Sequence, residues 1–233
     1  MRMNMKKFVF SSLFVVIAIS LFFSTSSVEA AAKKLKSIVQ DNFNNYTDGI
    51  LVGQGGWIDR ANGSPFVVQG AVVKEGAKAL YSNNSGADSV ITKNGGTALT
   101  DGREFVYIRT ENRANWGDAP VGENVTFGVY QGSWDGPTRA LMGFKKDGHA
   151  AYIDTSQIAT GAWLDFDTYT DNSWTLAEIE WRSIDKSARF RISNGRWTKW
   201  TPFVGASSFT GFDTIGLFTE SLGTGGVYID DLH

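Results

Sequence analysis

The chain has no cysteine, 4 prolines and 2 histidines. Without thiols there is no disulfide framework, no cysteine nucleophile, no Cys-ligated zinc and no lipidated cysteine. His149 follows an Asp147-Gly148 turn signal and His233 ends the chain, so neither a Ser-His-Asp triad nor a histidine zinc site is expected. An excess of positive charge is also missing. Lys and Arg total 22 against 24 for Asp and Glu, a formal net charge of -2. No basic field exists to hold nucleic acid, and nucleic acid is not expected as a partner. Long runs with a 3.6-residue apolar period are absent as well, which argues against a helical body.

What is present is a globular composition: 233 residues, 42% hydrophobic and 13% aromatic, with 26 Gly and 8 Trp. Residues 1–30 read as a secretory signal peptide, with a cationic start (Arg2, Lys6, Lys7), an apolar run from Phe8 to Phe23 and then small residues. Cleavage after Ala30 or Ala32 fits this pattern. The apolar run falls short of the roughly 20 residues that span a bilayer, so no membrane span is expected once the signal is removed. The expected location is secreted, extracellular or periplasmic. Loss of residues 1–30 leaves 19 basic and 23 acidic groups, a net charge of -4. Residues 31–40 form a leader, and 41–233 read as one uninterrupted domain of a size that suits a single all-β unit.

Strand-like stretches of four to ten residues recur between Gly, Asn, Asp and Ser clusters. Twelve are expected: Phe66 to Gln69, Ala71 to Lys74, Ala79 to Ser82, Ser89 to Lys93, Phe105 to Glu111, Val125 to Gln131, Ala140 to Lys145, Ala150 to Asp154, Ser173 to Arg182, Ala188 to Ser193, Thr214 to Thr219 and Val227 to Leu232. That number in one domain calls for two packed antiparallel sheets or a closed barrel. Alternation then assigns faces. In 106–111, Val106, Ile108 and Thr110 share one side, and Tyr107, Arg109 and Glu111 the other. Ala177, Ile179 and Trp181 oppose Leu176, Glu178, Glu180 and Arg182. A hairpin turn centred between Ile184 and Asp185 pairs Glu180 with Arg189 and Glu178 with Arg191. Moving the centre one residue on sets Arg182 against Arg189, a like-charge pair, so the first register is expected.

Three segments carry a resemblance: Asp41-Asn42-Phe43 followed by Gly53-Gln54-Gly55-Gly56-Trp57, the hairpin from Trp174 to Gly195, and the ending Gly226-Val-Tyr-Ile-Asp-Asp-Leu232. The chain resembles the concanavalin A-like lectin and glucanase superfamily, including its laminin-G-like jelly rolls, over Asp41 to His233. The resemblance implies an all-β, two-sheet antiparallel jelly-roll sandwich. It selects no activity, because lectins, glycoside hydrolases, polysaccharide lyases and adhesion modules share the fold.

Glycan recognition stacks aromatic rings on sugar rings and bonds the hydroxyls with nearby polar groups. Trp116 and Trp134 lie in Gly/Asp-rich loops and are the expected platforms. Tyr107, Arg109 and Glu111 would line a groove, with Tyr130 joining them. Trp57, Trp174 and Trp181 belong by pattern to the core. Glu178 and Glu180, about 6.5 to 7 Å apart along a strand, are the catalytic candidates if the chain is an enzyme. The jelly-roll glucanase run Glu-x-Asp-x-x-Glu is broken here, however, by Glu180 in its middle and Ser183 at its end. Arg109 to Arg113 is similar to the Arg-rich strand of jelly-roll alginate lyases, without their Gln-x-His strand. The resemblance also implies a structural Ca²⁺ where the first and last strands meet, with Asp41 and either Asp230 or Asp231 as ligands. Alternation, which sets Asp231 inward with Val227 and Ile229, favours Asp231. The leading expectation is a secreted, non-catalytic, lectin-like domain that binds a polysaccharide. The alternatives are a glycoside hydrolase or lyase on the same fold, and a surface adhesion module.

Overall fold

The computed structural model describes residues 35–61, 66–84, 88–119, 122–154 and 163–233. The expected signal peptide lies outside them. The described residues form two antiparallel sheets facing each other. One has eight strands, in the order β1 (Gly49–Ile50), β3 (Val67–Gln69), β4 (Ala79–Ser82), β15 (Gly226–Asp230), β6 (Gly102–Glu111), β11 (Thr175–Arg182), β12 (Ser187–Ile192), β13 (Thr201–Pro202). The other has seven: β10 (Trp163–Thr168), β9 (His149–Ile153), β8 (Arg139–Phe144), β7 (Val125–Tyr130), β14 (Phe212–Thr219), β5 (Ser89–Leu99), β2 (Ile58–Asp59). This is the expected two-sheet jelly-roll sandwich. Among the described residues no helix is long and apolar enough to cross a membrane.

The period of two decides which side chains fill the space between the sheets. Burial alternates at every position of β6, with Val106 and Ile108 inward and Tyr107 and Arg109 outward. Across the sandwich, Phe127, Val129, Ile215 and Leu217 point back at them from β7 and β14. Trp57 and Trp181 are buried in this core as their patterns predict, whereas Trp174, just before β11, is only half-buried. The charged hairpin takes the expected register, Glu178 beside Arg191 and Glu180 beside Arg189.

Several elements differ from expectation, among them the two-residue strands β1, β2 and β13, which lie outside the expected stretches. Residues 71–74 form no strand, because the Gln69 carboxamide accepts from the Ala71 and Val72 N–H groups and donates to the Val72 carbonyl. Local side-chain bonds of this kind use up the backbone groups that a ladder needs. The seven-stranded sheet gains an edge strand, β10. The opening segment contributes a single bridge, Asp41 to Leu232.

Trp116 is the main correction. Its Gly/Asp-rich loop suggested an exposed platform, yet the ring is 2% exposed and belongs to the core. A 3-10 turn at Arg113–Asn115 delivers it inward, and the loop is fastened by Gly117 N–H to the Ser221 carbonyl (2.7 Å). Gly225 makes room for it, since a Cβ there would lie 2.5 Å from the indole Nε1.

Glu104 is the unexpected inward residue of β6. It is fully buried, accepts from the Ile38 N–H at 2.8 Å and the Ser37 hydroxyl at 3.1 Å, and so ties residues 37–39 to the sheet. Burial pushes its carboxyl up to about 8. A folded-state pKa above the ordinary carboxylate value means that this site's stabilisation is complete below about 4.5 and is lost as pH rises through about 8. Thermal unfolding should therefore show stability falling over that window, and Glu104→Gln should flatten the decline; an unchanged slope contradicts the assignment. Trp116→Ala should cost about 3–5 kcal/mol in denaturant unfolding, the range for emptying a buried aromatic site.

Candidate functional site: a groove on the seven-stranded sheet

The outward positions of β7, β14 and β8 are Thr126, Gly128, Tyr130; Gly216, Phe218 and then Glu220; and Arg139, Leu141, Gly143. They form the floor of a groove of about 700 Å³, walled by Trp134, Trp163, Glu123 and Asp88. Glycine makes the floor low enough for rings to lie on it. Gly128 and Gly216 are register partners. A Cβ on Gly216 would come 2.6 Å from the Tyr130 ring and 3.2 Å from Trp134, and one on Gly143 would come 2.9 Å from both Glu123 and Trp163. Over this floor Trp134 stacks on Phe218 (centroids 5.6 Å, 27°) and leans on Tyr130 (5.2 Å, 43°).

Trp134 is held by its loop. Gly132, at φ 84°, donates its N–H to Asp213 (2.8 Å) and accepts from the Thr214 hydroxyl (3.0 Å), and the Gly136 N–H closes a turn on the Ser133 carbonyl (2.9 Å). At the opposite end Asn124 fastens the backbone. Its side chain donates to the Gly117 and Glu220 carbonyls and accepts from the Lys146 N–H.

That second end is acidic. Asp88 precedes β5, Glu220 follows β14 and Glu123 precedes β7, at neighbouring ends of three paired strands. Glu123 is 5% exposed, and its Oε2 has no partner among the described residues. Burial and then the neighbouring Glu220 push its carboxyl up to about 9. Glu220 is itself pushed up to about 7, first by burial and then by the charge of Asp88, to which it is hydrogen-bonded. The Tyr130 hydroxyl, lying over Gly128 at mid-strand, and Arg139 Nε at the other end also lack partners among the described residues. The groove therefore offers stacked rings between two sets of unsatisfied polar groups.

The residues expected at a site divide between the two sheets. Trp134 lines the groove. Tyr130 lines it too, and so does not join Tyr107, Arg109 and Glu111, which face outward from the eight-stranded sheet. Those three are occupied with neighbours. Lys74 sits 4.5 Å over the Tyr107 ring, Arg109 donates to Asn172 (3.0 Å), and Glu111 accepts from the Tyr228 hydroxyl (3.1 Å).

Glu178 and Glu180 lie on this same face and are tied up in ion pairs. Arg191 Nε donates to Glu178 at 2.6 Å, while Arg103 and Arg189 each donate to Glu180 at 2.9 Å. Trp197 and Trp200 cover the guanidinium groups, at 4.4 Å from Arg191 and 3.9 Å from Arg182. The arginines occupy the oxygens that a substrate would have to reach.

The implied calcium ligands do not fit the ion. Asp41 does meet the last segment, but its carboxylate accepts from Phe43 N–H, the Tyr46 hydroxyl, Trp57 Nε1 and the Lys93 ammonium. A cation there would have to displace the lysine. Asp231 takes φ 48° just beyond β15, while Asp230 keeps strand parity on the outward face beside Tyr107 and is buried there under the Lys74-Glu75 turn. Asp230 is satisfied by the N–H groups of Lys74, Glu75 and Asp231, and Asp231 pairs with His233 at 2.7 Å.

Asp88, Glu123, Trp163, Arg139 and Glu220 escaped the sequence reading. β7 is buried at all six positions, so its outward parity is not visible as a polar alternation. The parity Thr126-Gly128-Tyr130 beside Gly216-Phe218-Glu220 was the available signal.

No protein-family model matches the chain, and no curated protein matches it. Solved structures do. A structure titled sialidase is similar over 85% of this chain at TM-score 0.58 and 10% identity. The chain spans only 18% of that protein's length. A conserved carbohydrate esterase of the Shiga toxin-encoding bacteriophage phi24B is similar over 85% of this chain and 97% of its own, at TM-score 0.51 and 15% identity. With the sheet order above, these likenesses establish the fold, a two-sheet antiparallel jelly-roll sandwich.

Proposed function

We propose that this is an exported, non-catalytic carbohydrate-binding domain, and that a polysaccharide segment lies in the groove of the seven-stranded sheet. The observation that carries the reading is the pairing of flat rings with unsatisfied polar atoms. Trp134 and Phe218 present a stacked aromatic surface, and Glu123 Oε2, the Tyr130 hydroxyl and Arg139 Nε are left without partners beside it among the described residues. A sugar ring supplies both complements, an apolar C–H face and a rim of hydroxyls. Buried polar groups without partners are costly, so a ligand that completes them binds with specificity. The strand length of β7, about 17 Å at 3.4 Å per residue, gives the groove an extended shape suited to a chain. The signal-like residues 1–30 agree with export, and the carbohydrate esterase name of one similar protein agrees with a carbohydrate partner. Both similar proteins carry enzyme names, so the non-catalytic part of the reading rests on the site and not on them, and the fold alone does not choose it.

Hydrolysis in the same groove is the second reading, favoured by one observation: burial keeps the Glu123 carboxyl protonated at neutral pH, as a general acid needs. Incubating the protein with a polysaccharide panel and measuring both retention and reducing ends separates the two. Retention without new reducing ends is expected. Reducing ends that vanish in Glu123→Gln would instead make the domain a hydrolase.

Trp134→Ala should weaken retention at least about fivefold, since one stacked aromatic contributes on the order of 1 kcal/mol or more. Arg109→Ala, on the opposite sheet, should change it less than about twofold. The reverse pattern would return the site to the eight-stranded face.

A further inference from the structure

We infer that the acidic end of the groove is a subsite for an ammonium group, and that the preferred ligand is an amino-sugar polysaccharide bearing free amines. This rests on the glycan reading above and adds the charge of the substrate. The observation is how differently this chain treats its other buried carboxylates. Glu178 and Glu180 share three arginines, Asp41 holds Lys93 at 2.7 Å, and Asp230 receives three backbone N–H groups.

Asp88, Glu123 and Glu220 receive nothing comparable. Among the described residues no lysine or arginine forms an ion pair with any of them. Lys145, the nearby cation on their side, is committed to Asp165 at 2.9 Å. Arg139 lies at the far end of β7, opposite Tyr130. Glu123 is nine-tenths buried and lines the groove with one oxygen unpartnered, and the buried Tyr130 hydroxyl is unpartnered in the same groove.

A cation at Glu123 and Glu220 would let these carboxyls ionise and would relieve their mutual repulsion. A bare metal ion would satisfy the charge but leave the adjoining floor of Trp134 and Phe218 without a partner. An ammonium carried on a sugar ring fills both. Its three N–H donors match the acceptors at this end, and the ring that bears it reaches the aromatic floor. The carboxyls that give up protons on binding are Glu123 and Glu220. Asp88 and Lys145 face them, and Asp135 and Arg139 stand toward the other end.

The test is calorimetry with three oligomers of equal length: glucosamine with free amines, its N-acetylated form, and glucose. The amine form should bind at least about tenfold tighter than the others, equivalent to about 1.4 kcal/mol. Proton release should accompany it, read from two buffers of different ionisation enthalpy. Glu220→Gln, checked for folding by its unfolding temperature, should bring the affinity ratio of amine to glucose oligomer close to one, as should Glu123→Gln. Equal affinities in the native protein would overturn the ammonium subsite and leave the glycan reading intact. Absence of binding by all three would remove both. Stabilisation by calcium chloride alone that is lost in Glu220→Gln would assign the acidic end to a metal and likewise overturn the inference.

Discussion

A carboxyl group taken out of water needs a counter-charge, a set of N–H donors or a proton. Much of the internal logic of this jelly roll follows from how that requirement is met at each position. Glu104 uses backbone and hydroxyl donors to fasten residues 37–39 to the central strand. Asp230 uses three backbone N–H groups to shape the turn at Lys74 and Glu75, and Asp41 uses Lys93, Tyr46 and Trp57 to close the segment where the chain's ends meet. Each of these carboxyls is structural. At the acidic end of the groove Glu123 Oε2 is the buried carboxyl oxygen left without a partner among the described residues.

The same requirement separates the two outward faces. On the eight-stranded sheet, acids and guanidinium groups alternate across β6, β11 and β12, and Trp197 and Trp200 lie over the arginines. Such a face is largely neutralised from within, with Arg103 Nε and Arg189 Nε its buried unpartnered atoms among the described residues. On the seven-stranded sheet, glycines at 128, 143 and 216 lower the surface so that aromatic rings can lie along it, with unmet polar atoms at both ends. The architecture is shared by proteins of many activities, so the difference between the faces, rather than the fold, points to a function.

Much of this was legible in the sequence. The period of two in 106–111 and 176–192 fixed the inward residues of β6, β11 and β12, and charge pairing alone chose the hairpin register that the structure has. Reading failed where alternation is silent or overridden. Val125–Tyr130 is buried on both sides, so the strand that floors the groove looked merely apolar. Trp116 sits in a loop whose composition suggests exposure, yet tertiary packing pulls it into the core. Asp231 leaves the strand through a left-handed backbone, and the buried aspartate is Asp230, covered on the outward face by the Lys74-Glu75 turn, a long-range contact that the strand's own pattern does not announce. The acidic end joins residues 88, 123 and 220, and no local pattern brings positions so far apart in the chain together.

The most direct measurement is a titration of the tryptophan indole N–H signals by two-dimensional NMR while a polysaccharide fragment is added. The account predicts that Trp134 and Trp163 move with the bound fraction while Trp197 and Trp200, stacked on arginines of the opposite sheet, stay in place. Movement of Trp197 and Trp200 with Trp134 and Trp163 unmoved would contradict it.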